Sequence, residues 1–96
     1  MYLIMELAIV YNSDKHKDFY NSLINYLLQN NIKYSSFDAK YTKERKKSYR
    51  VKGAFSARLD PFVGIYENNN PIKGFYSEAN ECTLDNIINY IKTDNV

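Results

Sequence analysis

The sequence predicts an α/β fold, with a central four-stranded mixed sheet flanked by helices in the order β-α-β-α-β-β-α. Three observations predict it. An almost unbroken apolar run, rich in Leu, Ile and Val, occupies Tyr2–Tyr11. Residues 15–29 and 84–91 repeat apolar side chains at helical spacing. The stretch "FVGIYENNNPIKGFY", residues 62–76, places two strand-forming segments either side of a turn cluster.

Each element has its own justification. A run without polar alternation suits a strand covered on both faces, so residues 2–11 are the first strand. "NSD" at 12–14 supplies three N-cap candidates, and a helix is expected over Lys15–Gln29. Its apolar positions are Phe19, Leu23 and Leu27, with Ile24 and Leu28 beside them; "QNN" ends it. "IKYSSFDAKY" reads as a second strand with Ile32, Tyr34 and Phe37 inward. Residues 42–52 read as a polar helix, weakly amphipathic through Tyr49 and Val51 and closed by Gly53. "AFSARLD" is irregular connection. Phe62–Tyr66 is the third strand, "ENNNP" the turn and Ile72–Tyr76 the fourth strand. Thr83 caps a last helix whose Leu84, Ile87, Ile88 and Ile91 give the cleanest amphipathic pattern in the chain. Two βα units imply right-handed parallel crossovers, and the hairpin adds antiparallel strands. Pro61 fits the first position of a strand, where no ladder hydrogen bond is lost, and an X-Pro bond there can be cis.

At 96 residues with 45% hydrophobic content, the chain is one domain with a single modest core. One cysteine excludes an internal disulfide and any multi-cysteine metal site. The N-terminus lacks a basic leader and a small-residue cleavage site, and no apolar run approaches the ~20 residues that span a bilayer. These features lead to the expectation of a cytoplasmic protein with no membrane partner. The abundance of Asn, Lys, Ile and Tyr matches an AT-rich genome, a low-GC bacterium or its phage, in which case the location is the host cytoplasm. Charge is uneven. Residues 40–52 hold seven Lys/Arg against one Glu, while the whole chain carries only +2.

With these elements in place, the chain resembles the thioredoxin superfamily, and by length a glutaredoxin. "Asp60-Pro61-Phe62-Val63" is similar to the family's cis-proline entering a strand; "VKGAFSARLDPFVGIY" is similar to its approach to that proline; "IKGFYSEAN" and "TLDNIINYIK" are similar to its last strand and terminal helix. The resemblance runs from about Glu6 to Lys92 and rests on the order of these motifs. It implies a groove at Asp60 and Pro61, faced by an active-site-equivalent loop containing Asn12, Ser13, Asp14 and His16. In that family the redox cysteine sits in this loop, where a helix N-terminus favours the thiolate. Residues 11–17, "YNSDKHK", contain none. A serine hydroxyl cannot exchange with disulfides, so no thiol–disulfide oxidoreductase activity is expected. Asp60 is a second departure, because an acid there disfavours a nearby thiolate or glutathione carboxylate.

Several site hypotheses follow. Ser13, His16 and Asp60 could form a nucleophile–base–orienter set, which requires a hydrogen-bonded Ser13–His16 pair. A solvated histidine and an N-cap serine are the simpler account, so no catalytic residue, metal or cofactor is assigned. Cys82, before the last helix, is read as structural and remote from the loop. Lys43, Arg45, Lys46, Lys47, Arg50 and Lys52 form a basic patch that can neutralise phosphates, with Tyr41 and Tyr49 placed to stack on bases. The plain alternative is a solvated helix face. Ten tyrosines imply several at the surface, from among Tyr11, Tyr20, Tyr26, Tyr41, Tyr49, Tyr76 and Tyr90, as at protein interfaces. The expected function is therefore a non-redox thioredoxin-like domain that binds a protein partner or forms a homo-oligomer. Nucleic-acid binding through 40–52 and a glutathione-like small-ligand site without thiol chemistry are the alternatives.

Overall fold

In the computed structural model, which describes residues 5–94, the chain is an α/β protein with a four-stranded mixed sheet and three helices. Its elements are β1 (Met5–Tyr11), α1 (Lys17–Gln29), β2 (Lys33–Asp38), α2 (Thr42–Ala54), β3 (Phe62–Glu67), β4 (Asn70–Tyr76), a 3-10 turn at Ser77–Ala79, and α3 (Leu84–Asp94). The sheet order is β2-β1-β3-β4. β1 runs parallel to β2 and antiparallel to β3, and β3 runs antiparallel to β4. The first strand was expected from Tyr2, and the part of that segment before Met5 lies outside the described residues. No described helix is long and apolar enough to cross a membrane.

Alternation along the strands divides the interior in two. Leu7, Ile9, Val63, Ile65 and Phe75 face α1 and α3 and pack with Leu23, Leu27, Ile87 and Ile91. Most of these are fully buried, and each such side chain stabilises the fold by about 1.5–3 kcal/mol relative to exposure. Ile32 and Tyr34 pack against this cluster as expected, whereas Phe37 points to the opposite face. Leu28 departs from the α1 expectation: it is 59% exposed, one position past the buried stripe.

The opposite face belongs to α2, and it carries small residues. Ser35, Ala8, Gly64 and Gly74 pair in register across all four strands. Phe55, just after α2, lies on this row. A Cβ added at Gly64 would meet the Phe55 ring at 2.5 Å, so only glycine admits it. Phe62 and Tyr66 hold that ring with centroids at 5.2 and 5.4 Å, and Tyr76 Oη donates to the Phe55 carbonyl at 2.6 Å.

Element ends differ from expectation for identifiable reasons. None of Asn12, Ser13 or Asp14 caps α1, which starts two residues late with His16 at the N-cap. Asn12 instead closes its own turn: its Oδ1 accepts from Asp14 N–H at 2.9 Å and its carbonyl from Lys15 and His16. β2 ends at Asp38, short of the expected Tyr41. α2 runs past Gly53 to Ala54 and closes through Ser56, whose φ is 57°. Ala57 and Ser56 N–H then reach the Lys52 and Gly53 carbonyls, a Schellman arrangement without glycine. Ser48 and Lys52 are the buried residues of α2; Val51 is half-buried beside the sheet, as expected, whereas Tyr49 is exposed. Ser48 is tolerated there because its hydroxyl donates to the Arg45 carbonyl at 2.6 Å.

The hairpin turn is two residues, Asn68-Asn69, with φ of 50° and 70°. Both positive values suit a primed turn, which matches the strand twist and favours Asn. Pro71 lies within the edge strand β4, not in the turn, and Ile72 bulges out where the register shifts. Thr83 caps α3, its Oγ1 accepting from Asn86 N–H at 3.2 Å. Of the tyrosines expected at the surface, Tyr41 and Tyr49 are exposed. Tyr11, Tyr20, Tyr26, Tyr76 and Tyr90 are half-buried, the first two stacked at 3.8 Å.

Gly64→Ala is expected to lower stability by about 1–3 kcal/mol through overpacking against Phe55. Urea denaturation measures this, and in a Phe55→Ala background most of the added cost should vanish.

Candidate functional site

Because β1 and β2 are parallel, their C-terminal ends share one edge of the sheet, and the start of β3 joins them there. Three connections meet at this edge: residues 12–16, 39–41 and 55–61. In open α/β sheets the carboxyl ends of strands are the usual place for ligands.

Asp38, at the end of β2, organises the edge. Its buried carboxylate accepts from the N–H groups of Ser13 and Lys40, each at 3.1 Å, and from the Ser13 hydroxyl. Its own N–H donates to Glu44 of α2 at 3.1 Å, and Ala39 N–H donates to the Tyr11 carbonyl at 2.7 Å. Burial alone would raise the Asp38 pKa, but these donors outweigh it and hold the carboxyl below its ordinary 3.8. An exposed Lys40–Asp14 bridge at 3.1 Å closes the outer side and contributes little stability.

His16 stands at the start of α1. Its Nδ1 accepts from Asn12 N–H at 3.0 Å, so the proton of the neutral ring is on Nε2. Burial lowers its pKa and the nearby Lys15 adds to that, against the opposing pull of Asp60. The charge of Asp60 thus reaches His16, in keeping with the 12–16 loop and the Pro61 segment lying on the same edge. Ser13 and His16 turn to different partners, Asp38 and Asn12 respectively, which leaves no nucleophile–base pair. Ser13, His16 and Asp60 therefore do not form a catalytic set.

The Asp60–Pro61 bond is cis. Asp60 is not an isolated acid: Lys52 Nζ lies 2.9 Å from its Oδ1, with the two side chains 11% and 24% exposed. The lysine stem lines the buried face of α2 while its ammonium reaches the carboxylate. This corrects two sequence-based expectations. Lys52 leaves the basic patch, and the negative field expected at Asp60 is largely neutralised. Pairs at this depth do little for net stability, because desolvation offsets attraction, but losing one partner strands the other.

The Pro61 segment is supported from below by residues the sequence did not single out. Ser77 Oγ donates to the Pro61 carbonyl, and Arg58 N–H donates to Glu78 Oε2 at 2.8 Å. Cys82 lies beneath the Pro61 segment, where it hydrogen-bonds Ser77 and the Val63 backbone. Burial, partly offset by these contacts, pushes its thiol up to about 12. At such a value it is a poor nucleophile at neutral pH.

The remaining expected patch residues, Lys43, Arg45, Lys46, Lys47 and Arg50, are all exposed on α2. Cavities of about 260, 330 and 240 Å³ lie elsewhere, the first between α2 and the sheet beside Glu6, Ser35 and Tyr66. None takes a lining residue from 12–16 or 59–61, so the edge is a surface rather than one of these cavities. Among the described residues, no three His, Cys, Asp or Glu side chains group as metal ligands. Comparison with protein-family models, curated proteins and solved structures returns no match.

Two outcomes are expected. Asp38→Asn should cost about 1.5–3 kcal/mol, the scale of hydrogen bonds to a charged group. Because the folded pKa is depressed, the Asp38 contribution is complete above 3.8 and fades as pH falls through the lower folded value. The variant should therefore show a shallower acid limb in denaturation between about pH 4 and that lower value. Cys82 should react slowly with an aromatic disulfide reagent at pH 8 in the folded protein and rapidly in guanidinium, followed by absorbance.

Proposed function

We propose that this chain is a non-redox thioredoxin-like domain that binds a protein partner along the edge formed by residues 12–16, Leu59 and Pro61. The element order, the mixed sheet and a cis-proline on the same edge as the β1–α1 connection support the thioredoxin-like part of this reading. The absence of cysteine from residues 11–17 removes thiol chemistry, and the one thiol, Cys82, is held protonated by burial.

The observation that carries the binding role is the character of the edge. Asp38 fastens its loops, the cavities described lie away from it, and Leu59 beside Asp60 is 53% exposed. A held, open surface with an exposed apolar side chain suits an extended polypeptide better than a small ligand, which needs enclosure. That favours a protein partner over a glutathione-like molecule.

The test is affinity capture from nuclease-treated lysate of the native host, with the wild type beside Leu59→Asp, read by mass spectrometry. A discrete protein retained by the wild type and recovered about tenfold less with Leu59→Asp is expected, the effect of removing a central apolar anchor. Equal recovery by both proteins would move binding away from this edge. Recovery of only the chain itself would replace a foreign partner with self-association.

A further inference from the structure

We infer that the outward face of α2 is a binding surface for single-stranded nucleic acid, separate from the Pro61 edge. Lys43, Arg45, Lys46, Lys47 and Arg50 are all exposed on this one helix, and none is in an ion pair among the described residues. The one acid of α2, Glu44, turns inward to accept from Asp38 N–H. The one inward cation, Lys52, is committed to Asp60. The outer face of α2 thus carries cations and no exposed acid.

The spacing of these cations argues against an ordinary solvated face. Lys43–Lys46 and Lys47–Arg50 are three residues apart, and Lys43–Lys47 and Lys46–Arg50 are four apart. Such neighbours lie side by side on a helix and destabilise it when alike in charge. A face selected only for solubility would interleave acids at these positions, as the chain has acids to spare elsewhere. A row of phosphates relieves the repulsion.

Two aromatic rings flank the stripe. Tyr41 and Tyr49 are 54% and 57% exposed, about 12 Å apart along the helix axis at 1.5 Å per residue. Lys40 lies 5.7 Å from the Tyr41 ring centre and Lys52 5.6 Å from that of Tyr49; both are paired with acids, so the phosphate contacts fall to the five stripe cations. Exposed rings beside cations are the features that hold unpaired bases by stacking while the backbone follows the charges. A paired duplex offers no base faces, and an acidic polypeptide gives the rings nothing to stack on, so the tyrosines favour a single strand over both.

The test is fluorescence anisotropy of labelled dT20 and rU20 oligonucleotides with the full chain across a salt series, with poly-glutamate as competitor. Binding is expected at low salt, with a log–log salt slope of about −3 for four to five phosphates. Lys46→Glu/Lys47→Glu/Arg50→Glu should abolish it, with circular dichroism unchanged because these side chains are exposed. Tyr49→Ala should weaken oligonucleotide binding about fivefold or more while leaving the salt slope unchanged. Preference for dT20 or for rU20 decides between a DNA and an RNA ligand. No binding of either at low salt would overturn the proposal, as would displacement by poly-glutamate at equal charge or full affinity in Tyr49→Ala.

Discussion

The carboxylate of Asp38 is the contact on which the edge at the ends of β1 and β2 depends. It ends β2 and receives hydrogen bonds from the loop after β1 and from its own loop toward α2. Neither loop has regular structure to satisfy its amides. Without this acceptor, Ser13 and Lys40 would expose those groups or lose their fixed positions. Burying a carboxylate is costly unless donors surround it, and here they do so to the point of depressing its pKa. Glu44 then ties the start of α2 to the same residue. One acid thus sets the positions of the β1–α1 loop, the β2–α2 loop and the helix bearing the cations.

A second constraint acts from the other face of the sheet. The row Ser35, Ala8, Gly64 and Gly74 lets the chain leaving α2 drop close onto the strands, with Phe55 seated on Gly64. Tyr76 fixes the Phe55 carbonyl, and Glu78 fixes the Arg58 amide. The path from 55 to 61 is therefore held at several points before it reaches Pro61. Lys52 links the two constraints, since its helix is anchored through Glu44 and its ammonium ends on Asp60. The result places a thiol-free loop on the same edge as a proline whose neighbouring acid is already paired.

Much of this architecture is legible in the sequence because it rests on local pattern. The apolar run at β1, the periodicity of α3, the Thr83 cap and the paired segments around Asn68-Asn69 all act within a few residues. What escaped depends on distant partners. Asn12, Ser13 and Asp14 look like helix caps, but their hydrogen bonds go to a turn and to Asp38, 25 residues from Ser13. Lys52 looks like one more surface cation because nothing local reveals Asp60. Ser48 and Lys52, not Tyr49, are buried because their polar ends are satisfied, the hydroxyl by the Arg45 carbonyl and the ammonium by Asp60. Cys82 sits well after Pro61 in sequence, and only the hairpin and the 3-10 turn return it beneath that residue. Which connections meet at this edge was therefore readable, whereas the hydrogen bonds that hold them were not.

The central claim is that the edge is held in place before any partner arrives. Amide hydrogen exchange by NMR at Ser13 and Lys40 tests it most directly. Both lie in irregular loops and would exchange fast if those loops moved freely. The account predicts that both are protected to nearly the same extent as the β1 and β2 amides. Exchange at the rates of an unstructured peptide would contradict it.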